Sequence, residues 1–413
     1  MTGSTESCVI VGGGHAAAQL CPALRKFGWE GEILLVSEEP SLPYHRPPLS
    51  KDYLKGLREL DQILIRRDAV YDKAGVIRLL GRQVVSVDRE ARFVSLDDGA
   101  HVRYDRLVLA TGSVPRQLPV PGGDLPGVFV VRTARDVDGL REAVAAGGRA
   151  VVVGGGYIGL ETAASLRTLG LEVTVVEALD RVLQRVTCPE MSRFFERIHR
   201  EEGVEVRTGA QVTEILGNGA VSGVRLDDGS EVPAEVVVVG IGILPETTLA
   251  EAAGIDVDDG IAVDAHCRTS DERIFAAGDC TRQHCTHYDR ALRLESVQNA
   301  NDQATTAAKA ICGVAEDHVA LPWFWSDQYD VKLQIAGLAI DHDQVVTRGD
   351  PDGDRQFAAA YLRGGRLLAV DAANRPKDFL AAKKLIVEGA HMDVDRLGDP
   401  ELPLTEAVLA EET

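Results

Sequence analysis

Cys8-Val-Ile-Val-Gly-Gly-Gly-His-Ala-Ala-Ala-Gln-Leu20 and Ala150-Val-Val-Val-Gly-Gly-Gly-Tyr-Ile-Gly-Leu-Glu-Thr162 follow one plan. Each is a short β-branched run, a glycine cluster and an amphipathic helical stretch. Each is followed by a second β-branched run with an acid: Ile33-Leu-Leu-Val-Ser-Glu-Glu39 in the first, Val173-Thr-Val-Val-Glu177 in the second. That order predicts a βαβ unit with parallel strands and a right-handed crossover. Its occurrence twice predicts an α/β fold with two Rossmann-like dinucleotide-binding domains.

In the first unit Gly12, Gly14 and Ala17 occupy the Gly-x-Gly-x-x-Gly/Ala positions. The first makes the strand-to-helix turn, the second lets a pyrophosphate approach the backbone, and the third allows close helix–strand packing. Amides at the helix start then bind the diphosphate, and Glu38 follows the next strand to accept from ribose hydroxyls. Gly154, Gly156, Gly159 and Glu177 take the same places in the second unit. A carboxylate at Glu177 repels a 2′-phosphate, which predicts NAD over NADP; Arg181, close by in sequence, is the group that could counter it. Two dinucleotides suggest one resident and one exchanging guest, and hydride chemistry pairs a tightly held flavin, FAD, with a visiting nicotinamide, NADH.

The remaining sequence bounds the alternatives. A chain of 413 residues predicts two or three domains. Hydrophobic residues at 45% and charged residues at 26% exclude a disordered or collagen-like chain. The best apolar run, Val236 to Leu244, is half the roughly 18 residues of a membrane span. The first seven residues are small, polar and acidic, so no signal peptide is expected and a cytoplasmic location is. With 44 basic and 64 acidic residues the net charge is −20, which argues against nucleic acid as a partner. Seven scattered cysteines do not read as a disulfide framework.

Further strand-like segments are predicted in Leu107-Val-Leu-Ala-Thr-Gly-Ser113, an apolar strand running into a Gly turn, its counterpart Val236 to Pro245, and Ile274-Phe-Ala-Ala-Gly-Asp279, with type I′ hairpin turns at Asp97-Asp-Gly and Asp227-Asp-Gly. The boundaries that follow are 1–113 with 245–320 for the first domain, 114–244 for the second, and an α+β C-terminal domain over 321–413. The last has two tryptophans at its start, strands at Val331 to Ile335 and Leu367 to Val370, a helix from Lys377 to Gly389 and an acidic tail.

Six runs occur in order: Tyr44-His-Arg-Pro-Pro-Leu-Ser-Lys51, Ala110-Thr-Gly-Ser113, Val153-Gly-Gly-Gly-Tyr-Ile-Gly-Leu-Glu161, Ala277-Gly-Asp279, Leu294-Glu-Ser-Val-Gln-Asn-Ala300 and Pro322-Trp-Phe-Trp-Ser-Asp-Gln328. Together they resemble the NADH-dependent ferredoxin reductases of bacterial oxygenase systems, the putidaredoxin reductase and Rieske dioxygenase reductase family of glutathione-reductase-like flavoproteins. The resemblance implies that Gly12, Gly14, Ala17 and Glu38 hold the ADP half of FAD, with Arg46 and Arg116 near its phosphates or adenine. It further implies cofactor contacts from Thr111, from Asp279 at the ribityl-diphosphate and from the Val297 amide at the flavin ring. Gly154, Gly156, Ile158, Gly159 and Glu177 fall to NADH, with Gly242 at its nicotinamide end. Lys51 and Glu161 are implied to face each other beside flavin N5, and Trp325 to lie near the flavin where a [2Fe–2S] ferredoxin docks. That ferredoxin would supply a cytochrome P450 or a Rieske oxygenase.

Blander readings stand beside these. Lys51 in isolation reads as a solvated loop lysine, and Glu161, in the first turn of its predicted helix, as a residue that favours the helix dipole. Trp323 and Trp325 in isolation read as core. Cys280 and Cys285 are spaced like the redox pair of a disulfide reductase, but they follow the Gly-Asp strand rather than an early helix. Cys280, His284, Cys285 and His287 lack the paired spacing of a zinc site, so no metal is expected. His15 reads as a polar neighbour of FAD; His45 and Glu246 depart from the family pattern. An acidic ferredoxin needs a local basic patch, for which Arg290, Arg293, Lys332, Lys377, Lys383 and Lys384 are candidates; a solvated helix face is the bland reading of the lysines. An NADH oxidase, peroxidase or disulfide reductase of the same fold needs a cysteine early in the first domain, and Tyr44 to Lys51 has none. An NADH-responsive binding module is the third reading.

Overall fold

The computed structural model describes residues 6–409, and the chain divides into two compact units. One comprises Met1–Arg46, Leu60–Val114 and Ile243–Ala320; the other comprises Pro47–Glu59, Pro115–Gly242 and Leu321–Thr413.

In the first unit the strand Ser7–Val11 lies at the centre of a parallel sheet. The order is Ile274–Ala276, Arg106–Leu109, Ser7–Val11, Glu32–Ser37, Val76–Leu80. Every residue of the central strand is buried, as a strand covered on both faces must be. Helix His15–Lys26 packs against helix Val297–Ile311, with Leu20, Leu24, Ala304 and Ala308 in their common core. A second core joins Val9, Val11 and Leu107 to Val84, Val94 and Leu96 of an antiparallel meander, Val84–Asp88, Phe93–Leu96 and His101–Arg103.

The second unit repeats the design. Its parallel sheet runs Glu205–Thr208, Glu172–Glu177, Arg149–Val153, Val236–Val239, Val128–Phe129. Val11 pairs with Val36 as Val153 pairs with Val176, so the two glycine loops leave their sheets at the same register. The C-terminal part is an antiparallel sheet in the order Trp323–Gln328, Val331–Gly337, Arg366–Ala373, Phe357–Arg363, Gln344–Arg348. Helix Pro376–Glu388 packs on two of those strands. Pro376 opens the helix and Gly389, at φ 69°, closes it in the left-handed conformation that glycine favours.

Two sequence expectations differ from the structure. Pro47–Glu59 groups with the second unit, because its 3₁₀ turn Pro47–Ser50 packs on helices Ala134–Val144 and Tyr157–Thr168. The Asp-Asp-Gly hairpins are not type I′, which needs positive φ at both central residues. Only Gly99 (φ 84°) and Gly229 (φ 86°) take it there, and their amides donate back to Leu96 and Leu226. Each is a type I turn closed by a left-handed glycine. The acidic end of the tail, 410–413, lies outside the described residues, as do 1–5 of the opening stretch.

Arg348 pins the C-terminal part together. Its fully buried guanidinium pairs with Asp378 at 3.3 Å and donates to Leu397 O at 2.5 Å and Leu402 O at 2.6 Å. Arg348→Ala strands one buried and one half-buried carbonyl and removes a partner of buried Asp378, and we expect it to lower unfolding free energy by about 3 kcal/mol or more. Chemical denaturation of the variant against the parent protein measures this.

Candidate functional site

Two glycines sit where each central strand turns into its helix. Gly12 (φ 123°) and Gly154 (φ 109°) make the turns, and a Cβ at either would lie 2.1 Å from Ala110 O or 2.4 Å from Gly240 O. No side chain fits there. At Gly14 and Gly156, by contrast, a Cβ would meet no atom within 4 Å. Each of these two is the N-cap of a crossover helix, His15–Lys26 or Tyr157–Thr168, with no side-chain cap and no acid in the first turn. Helix Ala134–Val144, by comparison, is closed by a Thr133–Asp136 capping box. Uncapped helix-start amides facing open space form a cradle for a diphosphate, so both units fit a dinucleotide. The third position is less alike: a Cβ at Gly159 would lie 2.1 Å from Gly154 O, whereas Ala17 is accommodated fully buried.

The acids differ as well. Glu177 accepts from Gly155 N at 2.6 Å and Leu179 N at 2.8 Å, one bond to each oxygen. Ser37 occupies the corresponding register position in the first unit, and Glu38 lies one residue beyond, exposed. Arg181 is spent on its own loop, donating to Thr187 O at 2.8 Å, Ser192 Oγ at 2.6 Å and Gln184 O at 3.2 Å.

Lys51 and Glu161 meet. Lys51 Nζ lies 2.6 Å from Glu161 Oε2, which also accepts from Ser50 Oγ at 2.6 Å. Ser326 Oγ donates to Oε1 at 2.7 Å. Glu161 is only 2% exposed and Lys51 15%, so the pair is not a surface bridge. Glu161 opens the second turn of helix Tyr157–Thr168, not the first, and its carboxylate serves these donors rather than the helix start. Stripped of them, a buried carboxylate costs several kcal/mol.

The other singled-out residues are placed as follows. Asp279 accepts from Ser113 Oγ at 2.9 Å, and Thr111 Oγ1 donates to Glu246 O at 2.6 Å. Arg46 pairs with Glu39, donates to Tyr44 OH at 2.6 Å and lies over the Tyr44 ring at 4.4 Å. Arg116 N donates to Gly242 O at 2.9 Å, so these two residues, assigned above to different dinucleotides, are neighbours. Val297 begins a helix whose Ser296 cap accepts from Asn299 N, which leaves the Val297 amide among the donors without an intrahelical acceptor. Ile158 is exposed. Trp325 is half-buried, its ring 5.6 Å from Trp323. His15 Nε2 and His45 Nδ1 lie 3.3 Å apart, so the two histidines form one pair. Cys280 and Cys285 are free thiols, and burial pushes both thiol pKa values up, against a nucleophilic role. Among the described residues no cluster could hold a metal ion, and no helix is long and apolar enough to cross a membrane.

The pyridine nucleotide-disulphide oxidoreductase profile matches residues 6–304, and a reductase C-terminal profile matches 323–408. The chain belongs to the pyridine nucleotide-disulphide oxidoreductase family. It is 46% identical over 407 residues, 98% of each chain, to the 5,5'-dehydrodivanillate O-demethylase ferredoxin reductase subunit of Sphingobium sp. SYK-6. It is 42% identical over 416 residues, again 98% of each, to putidaredoxin reductase of Pseudomonas putida. The crystal structure of the covalent putidaredoxin reductase–putidaredoxin complex superposes with a TM-score of 0.93 at 42% identity, covering 98% of each chain. As a flavoprotein of this family the chain binds FAD and a pyridine nucleotide.

In this oxidoreductase, sequence reasoning missed the residues behind Glu161. Ser50 and Ser326 sat inside the family-specific runs, whose hydroxyls were the available signal. Gln328 Nε2 lies 3.2 Å from Ser326 Oγ, His199 Nε2 lies 2.8 Å from Gln328 Oε1, and Tyr329 OH lies 3.2 Å from His199 Nδ1. His199 follows Phe195 by four residues and Met191 by eight, so helical periodicity put it on the buried stripe of Pro189–Glu201.

Burial lowers the His199 pKa from 6.5 to about 4, against the opposing pull of Gln328 and Glu202. The unfolded chain takes up this proton as pH falls from 6.5 towards 4 while the folded chain does not. His199 therefore costs no stability above that window and progressively more within it, on the order of 3 kcal/mol in full. Asp371, whose pKa burial raises to about 6, has the opposite slope, so a matched variant is the proper reference. Denaturation at pH 7 and pH 4.5 should show the parent losing about 2 kcal/mol more than His199→Gln.

Proposed function

We propose that the chain is an NADH-dependent ferredoxin reductase that passes electrons to a [2Fe–2S] ferredoxin serving a cytochrome P450 or a Rieske oxygenase. The observation on which this reading rests is the pairing of Lys51 with Glu161, a buried carboxylate on the helix that starts at the second glycine motif. Bound FAD supplies the chemistry the residues lack: it accepts two electrons together and releases them singly. Gly12, Gly14, Ala17, Glu38, Arg46, Thr111, Asp279 and the Val297 amide hold that group. Gly154, Gly156, Ile158, Gly159 and Glu177 hold NADH, with Gly242 at its nicotinamide end, and Arg116, bonded to Gly242, lies towards FAD. Lys51 orients the nicotinamide carboxamide and balances negative charge that develops on reduction, with Glu161 fixing its ammonium and no acid–base step. Trp325 shields the route by which electrons leave.

Ferredoxin as acceptor is supported by the full-length likeness to a ferredoxin reductase subunit and to a reductase solved with putidaredoxin. On helix Pro376–Glu388, Lys384 is exposed beside exposed Leu380 and Val387 and 3.7 Å from the exposed Glu388 carboxylate, a loose surface pair, while Lys383 lies 4.9 Å over the Trp323 ring. A basic surface with a small apolar component suits an acidic partner. Arg290 is exposed. Arg293 is committed to Glu295 and Asp259, which leaves it the weaker candidate. Seven free cysteines suit a reducing compartment, so we place the protein in the cytoplasm.

The test is an anaerobic titration: NADH should bleach the flavin absorbance, and added [2Fe–2S] ferredoxin should restore it while becoming reduced. Flavin that NADH leaves yellow, or that ferredoxin cannot reoxidise, sinks the proposal. Raising salt, or Lys384→Glu, should slow ferredoxin reduction several-fold, about threefold or more, while ferricyanide reduction holds steady.

Glu177 should set nucleotide preference. Both its oxygens are held and Arg181 is turned away, so a 2′-phosphate finds a carboxylate and no guanidinium. We expect NADH over NADPH in kcat/KM, with Glu177→Ala narrowing the ratio about tenfold or more.

A further inference from the structure

We propose that Tyr329, His199, Gln328 and Ser326 form a positioning relay that fixes the orientation of Glu161 and, through it, the Lys51 ammonium. This rests on the NADH-dependent flavin reduction proposed above and adds the residues that support it from behind.

The chain of hydrogen bonds has a single direction. Glu161 Oε1 accepts, so the Ser326 hydroxyl spends its one proton on it at 2.7 Å. Ser326 Oγ must then accept from Gln328 Nε2 at 3.2 Å. That sets the amide's orientation, and Gln328 Oε1 faces His199 Nε2 at 2.8 Å as an acceptor. His199 therefore carries its proton on Nε2, and Nδ1 accepts from Tyr329 OH at 3.2 Å. Each bond leaves one choice for the next. The chain works only with a neutral imidazole, which burial of His199 ensures at ordinary pH.

Burial and backbone agree. His199, Gln328, Ser326 and Glu161 are all buried. Tyr329 takes φ 55°, a conformation that residues with a Cβ rarely adopt. There its ring meets His199 edge-on at 5.2 Å. A glycine or asparagine would make that hairpin turn at less strain, but neither brings a hydroxyl to His199. Ser326 and Gln328 alternate with Trp325 along Trp323–Gln328. Ladder pairing with Val331–Gly337 fixes the register that places them.

Removing the donor and reversing the polarity are separable. Gln328→Glu preserves shape but has no N–H for Ser326, so Ser326 can turn its proton away from Glu161. His199→Phe removes the donor, and His199→Gln restores a donor amide near the Nε2 position. In FAD-loaded protein, stopped-flow reduction by NADH should slow about tenfold in Gln328→Glu and in His199→Phe, but less than about threefold in His199→Gln. Gln328→Glu should also gain a pH dependence between pH 5 and 8 that the parent lacks. NAD⁺ affinity, measured by calorimetry on the oxidised protein, should fall with the reduction rate. Ferricyanide reoxidation of dithionite-reduced protein should stay within about twofold of the parent throughout.

Parent rates, affinity and pH profile in Gln328→Glu overturn the relay. So does a His199→Gln variant that falls as far as His199→Phe, since that pattern means packing rather than donation. If His199→Phe fails to retain FAD, Gln328→Glu alone decides. Parent protein that NADH does not reduce overturns the underlying reading instead, so the two failures are distinct.

Discussion

A carboxylate taken out of water must find donors, and Glu161 finds them in distant parts of the sequence. Ser50 and Lys51 come from Pro47–Glu59, Ser326 comes from the C-terminal sheet, and Glu161 itself stands on the nucleotide-motif helix. Three stretches of chain therefore converge on two oxygen atoms. Loss of any one leaves a buried charge short of a partner, and loss of the carboxylate leaves several donors facing one another. This requirement explains why Pro47–Glu59 travels with the second unit, since Ser165 Oγ donates to Ser50 O at 2.6 Å and reinforces the same attachment.

Anion binding in this protein is a matter of local geometry. A net charge of −20 repels dinucleotides at long range, but salt screens that repulsion beyond about 8 Å. At contact the uncapped starts of His15–Lys26 and Tyr157–Thr168 present aligned amides, and no carboxylate stands in their first turns. Glu177, beside the second of them, is held by the backbone of Gly155 and Leu179. A protein can thus carry a strongly acidic surface and still hold two phosphorylated guests.

The repeated βαβ plan was legible because it is local: strand, turn and helix are set by neighbours in sequence, and glycine is demanded where the backbone closes on Ala110 or Gly240. Lys51 and Glu161 were legible only through runs specific to the family, since nothing in their spacing brings positions so far apart together. His199 was half legible. Its helical position marked it as buried, but a lone histidine among Arg and Glu gives no sign that its partner is Gln328 on a remote strand. Arg181 misled in the opposite sense: proximity in sequence suggested a phosphate ligand, and the loop uses its guanidinium to hold itself together. The hairpins misled through composition, because Asp-Asp-Gly suits both turn types and only backbone φ separates them.

One strand carries two duties, and period-two geometry makes that possible. Ser326 and Gln328 turn one face of Trp323–Gln328 towards Glu161 and His199, while Trp323 and Trp325 occupy the other. The strand pairs along its whole length with Val331–Gly337, so it cannot slip by one residue without turning Trp325 towards Glu161 and Ser326 away from it. A polar cluster on one face and an aromatic pair on the other are therefore fixed by the same register. Side chains mounted on a sheet hold position better than side chains on a loop, and here a single strand supplies that rigidity both to the carboxylate behind Lys51 and to Trp325.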